Sequence, residues 1–394
     1  MNKLSNHLGE YMRKEKARSI LFHAAIISLS ITLGMTTIAS ATEPEQTALV
    51  GVIGPVSQPR WKSTLDGVQF AVERINQQGL RIDGKNTILK LLIIDDKNDK
   101  NLAVLGAHAA VKAGVVGVIG HLTTDTSIAA SPVYNAAGIP QLSPTAAGRE
   151  FTQKAYGNVF QMLGHSGHTG QYLALEAIKT LHAQRIMLVD NNTVLGRELT
   201  ASFGAAVTSG GGVIVDSDRI SAKTSDFNAI IAKIQQAKPD LIFFAGVNPQ
   251  STAFAVRLQQ VGVRANLLLA GGATNPEFPD NTGDYPEGTL MLAGGRPVDK
   301  APDFKRLEKS YKEKFSSPLI PFTWFSYDSV SALIEAMKLA NSIEPSQLSV
   351  ALHKIQFKGM SGTVAFTSDG SAQYQAYTLY LAQQRRWKVI NTLP

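Results

Sequence analysis

The 394-residue sequence contains no cysteine. That excludes disulfide staples, thiolate zinc sites and a cysteine nucleophile, and it leaves no cysteine to carry a lipid at a processing site. The formal net charge is +7, yet no dense lysine/arginine block and no nucleic-acid-binding motif accompanies it, so no nucleic-acid partner is expected. Beyond residue 41 no apolar run approaches the ~20 residues needed to span a bilayer, so the mature chain is not expected to be membrane-embedded.

What is present begins with an export signal. Lys3, Arg13, Lys14, Lys16 and Arg18 form a positive start, Ile20 to Met35 is apolar apart from small polar residues, and Ala39-Ser40-Ala41 is a small-x-small cleavage pattern. This predicts a signal peptide over 1–41, cleaved after Ala41, with Met12 as an alternative start, and a periplasmic mature protein. The signal carries five of the 38 basic and two of the 31 acidic residues, which leaves only a modest positive excess.

The mature chain alternates strand and helix. Thr47–Ile53, Ile88–Ile94, Val115–Ile119 and Ile139–Leu142 read as buried strands, with helical apolar spacing between them in Leu65, Val68, Val72 and Ile75 and in Leu102, Leu105 and Ala109. A polar loop at 57–61 is expected before the first helix. A flexible joint at Gly164–Gly170 precedes a second alternating run, with strands at Arg185–Val189, Val213–Ile220, Leu241–Ala245 and Leu267–Ala270. Such alternation predicts parallel sheets covered on both faces. The fold class is therefore α/β, with two doubly wound parallel-sheet lobes. The lobes are expected to comprise 42–163 plus 296–366 and 164–295 plus 367–394, with the chain returning to complete each.

In open α/β sheets, ligands gather beyond the carboxyl ends of strands. One such junction is Val116 to Thr126, where a strand ends at Gly120 and a helix opens near Asp125. The unpaired amides of a first helical turn, with the partial positive charge there, suit a carboxylate. Read alone, Thr123, Thr124 and Asp125 are as well explained as helix caps. Gly164-His165-Ser166-Gly167-His168 imitates a nucleophile elbow, but His168 stands where glycine is needed, so a hinge is the better reading and catalysis by Ser166 the minor one. His165 and His168 lack a third metal ligand. His121 is expected to be a hydrogen-bonded structural histidine, and Asp95-Asp96-x-x-Asp99 a strand end with a capped helix. No catalytic residue, metal or cofactor is assigned.

Taken as an ordered set, these segments resemble the periplasmic leucine/isoleucine/valine-binding proteins. The resemblance is carried by Gly51-x-x-Gly54-Pro55, Gly67-x-x-x-Ala71-x-x-x-Ile75-Asn76, Asp95-Asp96-x-x-Asp99 and Val118-Ile119-Gly120-His121-Leu122. It continues in Gly138-Ile139-Pro140-x-x-Ser143-Pro144, Phe227, Pro239-Asp240-Leu241-Ile242 and Met360-x-Gly362. It covers residues 47–394 and implies a type I periplasmic binding protein: two lobes joined by three crossovers, closing on a small carboxylate-bearing ligand (amino acid, amide or aromatic acid). Its partners would be a membrane ABC permease with its ATPase, and the capture component itself a monomer. The alternative on the same fold is a ligand-sensing receptor that feeds a signalling partner.

The resemblance also implies a site. The family's carboxylate-binding serine matches Thr124, beside Leu122 and Thr123. The small-residue loop that meets the ligand falls at Ser143 and Thr145, and a family hydroxyl is replaced by Ala147. Trp61 stands near the family's first aromatic contact. In the second lobe His168, Val247 and Gly272 occupy or neighbour contact positions, with Gly272 in place of the acid that pairs with a ligand ammonium and Leu195 near a family tyrosine; Asp190 or Asn191 is the candidate substitute for the missing acid. The carboxylate half of amino-acid recognition is thus retained and the ammonium half is not.

Overall fold

The computed structural model of the protein describes residues 44–154, 156–246, 250–270, 287–384 and 386–393; the expected signal peptide lies outside them. The first apolar run of the mature chain folds as β1 (Glu45–Gly54). It pairs in parallel with β3 (Lys85–Asp95) and with β4 (Gly117–Gly120), which places it inside the sheet and buries residues on both of its faces. β5 (Gln141–Ser143) and β6 (Val159–Gln161) continue the parallel order. The other edge is closed by β2 (Arg81–Ile82), hairpinned onto β3. Its turn is Asp83-Gly84, both at positive φ (52° and 70°), the conformation that favours Asp-Gly in a two-residue hairpin. The sheet order is β2-β3-β1-β4-β5-β6.

Helices α1 (Pro59–Gln78), α2 (Lys100–Lys112), α3 (Thr124–Ala136) and the single turn α4 (Glu150–Gln153) connect these strands. The loop expected at 57–61 is shorter than its sequence suggests. Pro59 opens α1, because its fixed φ and missing N–H suit a first helical position. Asp99 caps α2 by accepting from the amides of Asn101 and Leu102, as the aspartate pattern implies.

Residues 162–165 carry the chain into a second sheet. There α5 (Ser166–Lys179), α6 (Val194–Ser209), α7 (Asn228–Ala237) and α8 (Gln250–Gln260) alternate with β7 (Arg185–Asp190), β8 (Val213–Arg219), β9 (Leu241–Ala245) and β10 (Asn266–Ala270). β11 (Leu290–Gly294) completes the parallel set. Phe203 stacks on Phe243 at 4.0 Å in the core between α6 and the sheet.

The chain then returns to the first sheet with α9 (Phe304–Lys312), α10 (Pro321–Ala340), α11 (Pro345–Leu352) and a small hairpin of β12 (Gln356–Lys358) and β13 (Thr363–Ala365). Val330, Leu333 and Met337 of α10 join Val50, Val52 and Val68 in one core cluster. A third passage ends in β14 (Tyr377–Gln383) and β15 (Arg386–Leu393), antiparallel strands added to the second sheet in the order β15-β14-β11-β10-β9-β7-β8. Three crossovers therefore join the two sheets, as the resemblance implies.

Candidate functional site

The site is assembled where β4 ends. His121 follows the strand and is fully buried; its Nδ1 lies 2.6 Å from Asp96 Oδ2 and its Nε2 lies 3.1 Å from the Tyr134 hydroxyl. Burial, and secondarily the Asp96 charge, raise the Tyr134 pKa above its ordinary value. The His121 carbonyl accepts from the hydroxyls of Ser143 (3.1 Å) and Thr145 (3.3 Å), and Thr145 donates more closely to the Leu122 carbonyl (2.7 Å). The turn that launches α3 is thereby pinned from beneath.

Thr123 caps α3, accepting from the Thr126 amide in a reciprocal capping box. Thr124 is buried, and its Oγ1 accepts the Gly148 amide at 3.0 Å. That bond uses a lone pair and leaves the hydroxyl hydrogen for an acceptor in the cavity. Leu122, Thr123, Thr124 and Thr145 all line a cavity of about 410 Å³ between the two sheets, a volume suited to a small organic molecule.

The opposite wall comes from the second sheet. Leu195 and Leu199 of α6, Leu292 of β11 and Tyr377 at the start of β14 give it an apolar character. Phe322 of α10 and Leu163 at the first crossover complete the apolar surface. The Arg60 guanidinium lies 5.7 Å from the Phe322 ring centre, and burial lowers its pKa to about 10, so it stays charged at neutral pH. The charged groups of the described lining are Arg60, Lys100 and Lys223 against Asp125 alone. Asp125 is committed: Oδ1 pairs with Lys100 at 2.8 Å, and Oδ2 accepts the Val194 amide at 3.1 Å. A second cavity of about 360 Å³ lies where the three crossovers meet, lined by Arg296, Phe325 and Gln373 among others.

The structure places four of the expected contact residues outside the cavity lining. Trp61 is not in a loop: it lies on α1, fully buried, and fills space against Gly54, where a Cβ would come within 2.5 Å of its ring. Arg60, one residue earlier, faces the cavity instead. Ser143 is fully buried and spends its hydroxyl on the His121 carbonyl and the Ala146 amide. His168 is exposed, bonded to Gln375 and packed at a tilt against the His165 ring, while the next residue, Thr169, lines the cavity. Asn191 is buried beneath α6, where its Oδ1 accepts from the hydroxyl of Thr193, the helix cap. Val247 and Gly272 lie outside the described residues.

The Ser166 hydroxyl donates to Glu198 rather than to a histidine. Among the described residues no group of three His, Asp or Glu side chains is placed to hold a metal.

A ligand-sized cavity walled by the carboxyl ends of two parallel sheets, with the chain passing between them three times, defines a two-lobed small-molecule-binding protein. The chain belongs to the periplasmic binding protein family, whose model matches residues 48–386, and within it is similar to the type I proteins that include the Leu/Ile/Val-binding proteins. It is 28% identical over 337 residues to the leucine-specific-binding protein of Salmonella typhimurium, covering 85% of this chain and 88% of that one. Among solved structures, a leucine-binding protein from Thermotoga maritima superposes with a TM-score of 0.79 at 22% identity, over 88% of this chain and 98% of its own. A solute-binding protein of an ABC transporter from R. palustris, crystallised with 4-hydroxybenzoate, gives 0.77 at 19% identity, over 88% and 97%. This is a family of ligand binders rather than of enzymes. Sequence reasoning missed Arg60, Phe322, Lys223, Leu292 and Tyr377. Arg60 could have been found by reading Pro59 as a helix start. Phe322 and Tyr377 are brought in by late passages of the chain, and Lys223 and Leu292 reach the cavity from the second sheet's side; none leaves a local signal.

Proposed function

We propose that the chain is the exported solute-binding component of an ABC importer and closes its lobes on a small carboxylate with an apolar body and no α-ammonium group. Residues 1–41 would be removed on export to the periplasm, and the monomeric mature protein would deliver its ligand to a membrane permease with its ATPase. Lobes of 42–163 plus 296–366 and 164–295 plus 367–394 agree with sheet membership, since β1–β6 form one sheet and β7–β11 with β14 and β15 the other.

The observation that carries this reading is the pairing of Thr124 with Asp125. Thr124 offers a hydroxyl hydrogen at a helix start, where a carboxylate is favoured. Asp125 is the sole carboxylate of the described lining, and both of its oxygens are engaged. An ammonium buried there without an acceptor costs several kcal/mol. The relatives span both possibilities, leucine for the Salmonella protein and 4-hydroxybenzoate for the R. palustris one; the charge balance among the described lining residues favours the second kind. Val247 and Gly272 remain proposed contacts of the second lobe.

A thermal-shift screen of matched pairs tests the reading, with leucine against 4-methyl-2-oxopentanoate and tyrosine against 4-hydroxybenzoate. A ligand at ~100 times its Kd adds about 2.7 kcal/mol to stability. Stabilisation by the amino-free acids is expected. Stabilisation by the amino acids alone would overturn the proposal.

A further inference from the structure

The start of α3 and the start of α6 face each other across the cavity mouth. Asp125, in the first turn of α3, sends Oδ2 to the amide of Val194, the first residue of α6, at 3.1 Å. One turn along α6, Glu198 reaches the opposite way. Its Oε2 accepts the Arg149 amide at 2.7 Å and its Oε1 the Glu150 amide at 2.9 Å, both on the first sheet's side. The Ser166 hydroxyl, at the first crossover, donates to the same Oε2 at 2.5 Å. Two carboxylates therefore cross the gap in opposite directions: Asp125 binds one amide at the start of α6, and Glu198 binds two at the single turn α4. Both carboxylates gain charge-assisted hydrogen bonds, and Asp125 also gains a favourable interaction with the dipole of the 16-residue α6.

Opening the lobes separates these pairs, whereas bonds made within one lobe survive. We infer that Asp125 and Glu198 are positioning residues, a two-point latch that holds the closed state and sets ligand affinity without pairing with any charge on the ligand. The inference rests on the reading of the cavity as the ligand site. If ligand binds only the closed form, apparent affinity scales with the closed fraction. Weakening the latch then raises Kd by one common factor for every ligand. Asp125 remains engaged with Val194 and Lys100 in place of any ammonium.

The test uses the full mature chain. Asp125→Asn and Glu198→Gln remove each charge and keep its shape. Val194→Pro removes the amide that Asp125 binds while leaving Asp125 in place, and proline is at home at a first helical position. Thr193 is already extended, at φ −80° and ψ 163°, as a residue before proline should be. Since the chain has no cysteine, spin labels on Asn101→Cys and Ser221→Cys, next to the cavity-lining Lys100 and Ala222, report the gap directly.

The ligand-free distance distribution is expected to move to longer distances in each variant and furthest in Asp125→Asn/Glu198→Gln. Kd for 4-hydroxybenzoate and for 4-methyl-2-oxopentanoate should rise by the same factor, about 3- to 30-fold, carried by faster dissociation. Val194→Pro should add nothing further to Asp125→Asn. Unchanged distances with unchanged Kd overturn the latch. A loss confined to leucine, with the amino-free acids unaffected, also overturns it and makes Asp125 an ammonium partner. If neither acid binds the parent protein, the ligand reading fails, and the label distances still decide the latch.

Discussion

The His121 imidazole lies 2.6 Å from the Asp96 carboxylate, and both side chains are fully buried. Asp96 also accepts the Asn98 amide at 2.8 Å, so one carboxylate joins the end of β3 to the turn that opens α3. A buried polar group left without its partner costs about 1–3 kcal/mol. Asp96→Ala is expected to lower unfolding free energy by about that much in urea denaturation, and to weaken binding through the displaced turn. A denaturation midpoint equal to the parent's would mean that the network does not hold the junction.

Thr124 supplies the hydroxyl at the ligand's negative end. Thr124→Val should weaken carboxylate binding by about 1–3 kcal/mol in calorimetry, the cost of a lost partner for a buried polar group. The valine also strands the Gly148 amide, which now donates to Thr124 at 3.0 Å. Thr124→Ser separates the two effects, since serine keeps both bonds and should bind nearly as the parent does. Equal affinity in all three would place the ligand elsewhere.

Trp61 gives a contrasting expectation. It fills the core beside Gly54 and lines no part of the cavity. Trp61→Phe should lower stability by about 1–3 kcal/mol, the common range for a core change. Ligand affinity should stay within about threefold of the parent, less than the ~1.4 kcal/mol of a tenfold change. A large affinity loss with intact stability would restore the contact expected from its place in the sequence.

Asp328 on α10 predicts a pH dependence. Burial pushes its pKa up to about 6, although hydrogen bonds from Ser361 and Met360 partly oppose the rise. An acid whose folded pKa lies above its unfolded value binds more protons when folded, so stability falls as pH rises between the two values. From pH 4 to pH 6 the loss should be on the order of 3 kcal/mol and then level off. Asp328→Asn should flatten that slope in urea melts at pH 4.5 and 7. An unchanged slope would assign the pH dependence to other groups.

The strand-helix alternation and the buried apolar runs were enough to read two parallel-sheet lobes, because both features are local and periodic. The same is true of Leu122, Thr123 and Thr124, which follow one strand and open one helix. Trp61 was misplaced because the helix starts at Pro59, six residues before the apolar spacing becomes visible at Leu65. Ser143 and Asn191 have the right chemistry, but each turns inward to serve its own loop. Phe322 and Tyr377 reach the cavity only because the chain crosses back between the sheets, and nothing in their neighbours records that. The bond from Asp125 to Val194 spans two lobes and is visible only once both are in place.

The central claim is that the start of α3 grips the negative end of a small molecule. Calorimetric titration with 4-hydroxybenzoate and with its methyl ester tests this most directly, because the two differ chiefly in the charge of one group. Binding of the acid with loss of at least about tenfold in the ester, ~1.4 kcal/mol, is the expected result. Equal affinity for both, or tighter binding of the ester, would contradict the account.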